Sequence, residues 1–110
     1  MKHTNEEILK HFFETIVRIV SEGTSDTYTA MILMKFGSKN RSDFPFVKYI
    51  KIVPHQVKID KKINSVNSKL IGEYITKLID SLFSHLFKHL LKRKMDAELY
   101  KDLKKLSVKI

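Results

Sequence analysis

The chain contains no cysteine. That removes disulfides, thiolate catalysis and thiolate metal sites together, and it fits a reducing compartment. Its three glycines, Gly23, Gly37 and Gly72, lie too far apart to form a phosphate-cradling loop. No apolar run approaches the ~20 residues that a membrane span needs. The first residues, Met1 to Glu7, lack the apolar segment of a signal peptide. We therefore expect a cytoplasmic protein with no membrane partner. Arginine is scarce as well: Arg18, Arg41 and Arg93 are three of 21 basic residues.

The 110 residues suffice for one domain with its own core, and we read residues 1–110 as a single unit. At 43 % hydrophobic and 30 % charged residues, the composition is that of a globular chain and too apolar for disorder. A net charge of +9 favours acidic partners such as nucleic acid. Dedicated phosphate and base readers lean on arginine for its planar fork, so a lysine excess is equally a solvated surface.

Asn64 to Lys92 organises the rest. Apolar pairs recur every four residues: Leu70/Ile71, Tyr74/Ile75, Leu78/Ile79, Leu82/Phe83, Leu86/Phe87 and Leu90/Leu91. A helix turns every ~3.6 residues, so the apolar stripe drifts by roughly 40° per pair. As a single rod the stretch would run about 42 Å, against a diameter of roughly 35 Å for a compact domain of this size. Either the rod breaks near Ser81–Ser84, or its second half leaves the core and needs a partner chain. We expect the second half to be a self-association surface built from Leu82, Phe83, Leu86, Phe87, Leu90 and Leu91, with Phe87 and Leu91 near its centre. The competing cover is a C-terminal helix folding back with Leu99 and Leu103.

The remaining elements follow from local signals. Thr4-x-x-Glu7 is a capping box opening a helix over Asn5–Glu22, with Gly23 suited to a left-handed C-terminal cap. Ser25 to Phe36 alternates like a strand, yet Ser25 as N-cap and Gly37 as C-cap favour a helix. Residues 37–43 read as a polar loop. Phe46 to Val53 is rich in strand formers, Pro54-His55 is a turn, and Gln56 to Asp60 alternates, giving a short antiparallel hairpin. Asp96 caps a last helix with Leu99, Leu103 and Leu106 on one face, and Val108 to Ile110 alternates like a strand. The expected fold is α+β: a helix-dominated small domain with a short antiparallel β-hairpin and one long amphipathic helix.

Candidate chemistry is thin. His85 and His89 share a helix face at a spacing Zn²⁺ can use. No glutamate lies between them and no third ligand suggests itself, so we read them as boundary residues and expect no metal or cofactor. Asp80, Ser81, Ser84 and His85 bring triad types together, but on one helix their directions fan apart. We expect no catalytic residues and no enzyme. Two basic clusters remain. Lys88, Lys92, Arg93 and Lys94 sit at the end of the long helix, where the macrodipole favours them. Lys48, Lys51 and Lys58, with Lys61 and Lys62 close by, stud the hairpin. The first functional reading is a non-enzymatic interaction or regulatory domain that forms homo-oligomers through the long helix. The alternative is a nucleic-acid-binding protein that uses these lysine patches.

Overall fold

Five α-helices and one two-stranded antiparallel sheet make up the computed structural model, which describes residues 3–83 and 85–109, the side chains of 85–87 excepted. The first helix, α1 (Asn5–Ser21), begins at the capping box. The Glu7 backbone N–H donates to Thr4 Oγ1 at 3.2 Å, and the Thr4 N–H donates to Glu7 Oε1 at 2.8 Å. Its apolar face (Ile8, Leu9, Phe12, Phe13, Ile16 and Ile19) is fully buried. Gly23 does not take up the expected left-handed cap, since no described glycine has a positive φ. The helix closes instead through Gly23 N–H to the Val20 carbonyl at 3.2 Å.

Ser25 to Phe36 is helical. In α2 (Asp26–Lys39) the Ser25 hydroxyl accepts from the Tyr28 N–H at 3.1 Å. Gly37 is not the stop. It lies inside the helix, where an added Cβ would stand 3.3 Å from the Tyr74 hydroxyl. Asn40 ends the helix by returning its side-chain N–H to the Phe36 carbonyl at 2.8 Å.

The expected strand over Phe46–Val53 is half strand. Pro45–Tyr49 is a 3₁₀ turn, followed by β1 (Ile50–Val53) and β2 (Gln56–Ile59). The physical reason is an aromatic cluster. The ring centroids of Phe44, Phe46 and Phe36 lie 5.2, 5.5 and 5.5 Å from that of Tyr74, all in edge geometry, and the tight turn is what brings Phe44 and Phe46 to the same ring. The hairpin register pairs Ile50 with Ile59, Lys51 with Lys58, Ile52 with Val57 and Val53 with Gln56. His55 in the two-residue turn has φ 69°, a left-handed position, and its Nδ1 lies 2.7 Å from Asp26 Oδ2 at the start of α2.

A second 3₁₀ turn (Lys61–Ser65) leads into the long apolar stretch. Here Asn5 fastens three segments. Its amide donates to the Ile63 and Val66 carbonyls at 3.3 and 3.0 Å, and its oxygen accepts from Ser68 Oγ at 3.1 Å. The stretch is helical on both sides of a break, α3 (Ser68–Leu82) and α4 (His85–Lys94), with Phe83 extended at φ −121° and ψ 129° and its side chain buried. The break resolves the drifting stripe. Ile71, Ile75, Leu78 and Ile79 of α3 and Leu91 of α4 are buried, and the folded chain is 35 Å along its longest axis.

The last helix, α5 (Ala97–Lys105), starts at Asp96, whose Oδ1 accepts from the Leu99 N–H at 2.8 Å. It ends in a Schellman closure. Val108 N–H reaches the Leu103 carbonyl and Ser107 N–H the Lys104 carbonyl, both at 3.0 Å, with Ser107 left-handed at φ 65°. That closure lays the Leu106 carbonyl directly on Gly72 of α3, where an added Cβ would stand 1.8 Å from the oxygen. Val108 and Lys109 form no strand. Val108 is buried and the Lys109 N–H donates to Thr76 Oγ1 at 3.2 Å; Ile110 lies outside the described residues. No helix among the described residues is long and apolar enough to cross a membrane.

Candidate nucleic-acid interface

The two basic clusters have different fates. At the end of α4, Lys88 pairs with Asp80, and Lys94 Nζ reaches Glu22 Oε2 at 2.6 Å. Lys92 lies 5.4 Å from the centre of the Tyr100 ring. Most of that cluster therefore fastens α4 to its neighbours; Arg93 is exposed. On the hairpin, Lys51 and Lys58 stand directly opposite each other on the outer face, both exposed, and neither has an ion-pair partner among the described residues. Like charges directly opposed in an antiparallel pair are destabilising. Lys48, one turn earlier, rests its ammonium 5.3 Å from the centre of the Tyr49 ring.

Beside these lysines a slot of about 290 Å³ opens between α2 and β1. Its floor is apolar and includes Leu33, Ile50, Ile52 and Tyr74, and its rim carries Arg41, Lys48 and Lys51. Burial of Tyr74 pushes its hydroxyl far above the ordinary phenol range, so it is a neutral part of the floor. Sequence reading missed Arg41, taken as part of a polar loop, and Met34, on a helix with two possible readings. Arg41 precedes Lys48 by seven residues and Met34 precedes it by fourteen, and the α2–β1 packing brings them to one slot.

A larger groove of about 490 Å³ runs between the end of α1, the start of α2 and the hairpin turn. Two of its carboxylates already serve the fold, since Asp26 holds His55 and Glu22 holds Lys94; Glu14 and Arg18 line it as well. We therefore assign it no ligand.

The residues expected at a self-association surface are divided. Phe83 and Leu91 are 6 % and 1 % exposed within the single chain, so they belong to its own core together with Leu99 and Leu103. Both side chains are thus buried within the single chain, where they had been expected to meet a partner. Leu82 is half-buried and Leu90 is 39 % exposed. The side chains of Leu86 and Phe87 lie outside the described residues, as does that of His85, while His89 is exposed.

Elsewhere, histidines tie α5 and its cap to the amino-terminal segment. His3 Nδ1 lies 2.7 Å from Asp102 Oδ2 and its Nε2 3.0 Å from Glu98 Oε1, and His11 Nε2 lies 2.7 Å from Asp96 Oδ2. His3, Glu98 and Asp102 are within ligand reach of one another. Each ring nitrogen of His3 nevertheless faces a different carboxylate, the arrangement of an imidazolium donating twice rather than of one metal-binding nitrogen. The hydrogen bond and charge of Asp102, reinforced by Glu98 and Glu7, raise the His3 pKa. Because the folded value is the higher one, this contribution is fully present below the unfolded pKa of about 6.5 and is lost as pH rises through the folded value. The melting-temperature gap between the parent and His3→Gln should therefore be widest near pH 6 and shrink toward pH 8.5. A gap that stays constant with pH would remove the charged clamp.

No family model, curated protein or solved structure matches this chain.

Proposed function

We propose that the chain is a non-enzymatic binding module for nucleic acid, held on the lysine-bearing face of the hairpin. The observation that carries this reading is the direct opposition of Lys51 and Lys58, with no ion-pairing carboxylate among the described residues. An anion bridging the two ammonium groups turns a local repulsion into two charge-assisted contacts. Arg41 and Lys48 extend the same field along the slot. A lysine ammonium meets a phosphate as a point charge, so the expected contacts are mainly to the backbone, which position the ligand without reading bases. The cysteine-free sequence agrees with a cytoplasmic setting.

Each phosphate neutralised contributes about 0.7 to 0.9 to the salt slope of binding. With one phosphate lost per lysine, Lys51→Ala with Lys58→Ala should therefore flatten the plot of log K against log salt by about 1.4 to 1.8. Lys92→Ala with Arg93→Ala should change it less. Fluorescence anisotropy between 50 and 200 mM salt measures both. Absence of binding by the parent protein at the lowest salt would end this reading.

Self-association is the second reading, and Leu90 supports it, a leucine of the expected surface that stands exposed on α4.

A further inference from the structure

We infer that the ligand is an unpaired strand, with one base seated in the slot between α2 and β1 and its phosphates on Arg41, Lys48 and Lys51. This rests on the nucleic-acid reading above and names the class of nucleic acid. The shape of the site favours it first. A duplex shows phosphates on its outside and keeps its bases stacked within, so it would meet the cationic rim and leave the apolar floor unused. An unpaired nucleotide offers both parts at once, a flat apolar base and a charged backbone. A volume of about 290 Å³ suits one base and excludes a double helix.

A backbone donor at the slot points the same way. The Ile52 N–H faces outward from the hairpin toward α2, where its acceptor is the Met34 sulfur at 3.4 Å. A thioether is a weak acceptor. A base carbonyl or ring nitrogen entering the slot is a stronger one, and Met34, unbranched and 38 % exposed, has room to swing aside. The donor is thus held in reserve by a side chain that gives way at little cost.

The surface next to the slot supplies the third observation. Four large hydrophobic side chains stand exposed among the described residues, and three of them, Tyr28, Met31 and Met34, follow one another along α2. They are 48, 57 and 38 % exposed. They lead from the slot along the helix, giving the neighbouring bases of a strand a track on which to stack. A cationic groove with an aromatic side chain on which a base can stack, here Tyr28, is the pairing that single-strand binders use.

The test compares a labelled unstructured 15-mer of single-stranded DNA with a duplex of the same length, by anisotropy at 100 mM salt. The single strand should bind at least tenfold more tightly. Tyr28→Ala with Met31→Ala, both on exposed positions, should weaken single-strand binding about fivefold or more while leaving the salt slope unchanged, because bases and not phosphates are lost. The Ile52 amide resonance should shift on titration. Duplex binding equal to or tighter than single-strand binding overturns the inference and leaves the nucleic-acid reading standing. Single-strand binding that ignores the Tyr28 and Met31 changes overturns it as well. No binding of either strand overturns both readings.

Discussion

Gly72→Ala should destabilise the protein by about 3 kcal/mol, and by more if α5 cannot retreat. On an exposed helix the same change would stabilise by about 1 kcal/mol, because alanine is the better helix former. Here the added methyl would stand 1.8 Å from the Leu106 carbonyl oxygen and 2.8 Å from its carbon. The obstacle is backbone, so no rotamer change relieves it. It is also backbone at a fixed place, because the Schellman closure at Leu106–Val108 sets the direction of that carbonyl. To admit the methyl, α5 must move away from α3 and open the packing of Leu99, Leu103 and Leu106, all buried. Urea unfolding followed by circular dichroism measures the effect. A midpoint equal to or above the parent's would show that the two backbones are not in contact.

The second large effect separates two neighbouring leucines. Leu91→Lys should cost more than about 4 kcal/mol and leave the chain largely unfolded, since it sets an ammonium where 1 % of the leucine is exposed. Leu90→Lys, one residue earlier and 39 % exposed, should change stability by no more than about 0.5 kcal/mol. Thermal unfolding distinguishes them, and light scattering on the Leu90 variant adds a reading of assembly. A parent that is dimeric and a Leu90→Lys variant that is a folded monomer would establish α4 as an association surface. A folded, stable Leu91→Lys would show instead that the apolar stripe of α4 is not committed to the chain's own core.

These two residues also show where sequence reading stops. The capping box at Thr4, the N-caps at Ser25 and Asp96, and the pairing of strand formers across Pro54-His55 were legible because each depends on a few adjacent residues. The drift of the apolar pairs was legible too, including the alternative that the rod breaks near residues 81–84. What the pattern does not contain is that Leu91 is buried within the chain, because the path after the break is not specified by the helical period. Gly37 was read as a stop because glycine ends helices. Its actual neighbour is the Tyr74 hydroxyl, 37 residues away, and Asn40 supplies the cap. Residues 46–49 have strand-forming side chains, yet a four-ring cluster around Tyr74 holds them in a 3₁₀ turn. Of the candidate site, the lysines were visible by type alone. Their opposition required the register, and the apolar floor beneath them required the placing of α2 against β1.

Asn5 carries a consequence of a different kind. In a chain without thiols, one buried amide joins the amino-terminal helix to segments some 60 residues further on, a fastening that other small domains obtain from a disulfide. A covalent crosslink restricts the unfolded chain as well as the folded one. An amide bonded to two carbonyls and a hydroxyl restricts only the folded one, so it is gained and lost together with the contacts around it and sharpens the transition between the two states. It does not titrate and it has no redox chemistry. The His3 clamp two residues earlier loosens as the medium turns alkaline, but the junction at Asn5 holds equally in reducing and oxidising surroundings and on both sides of neutrality.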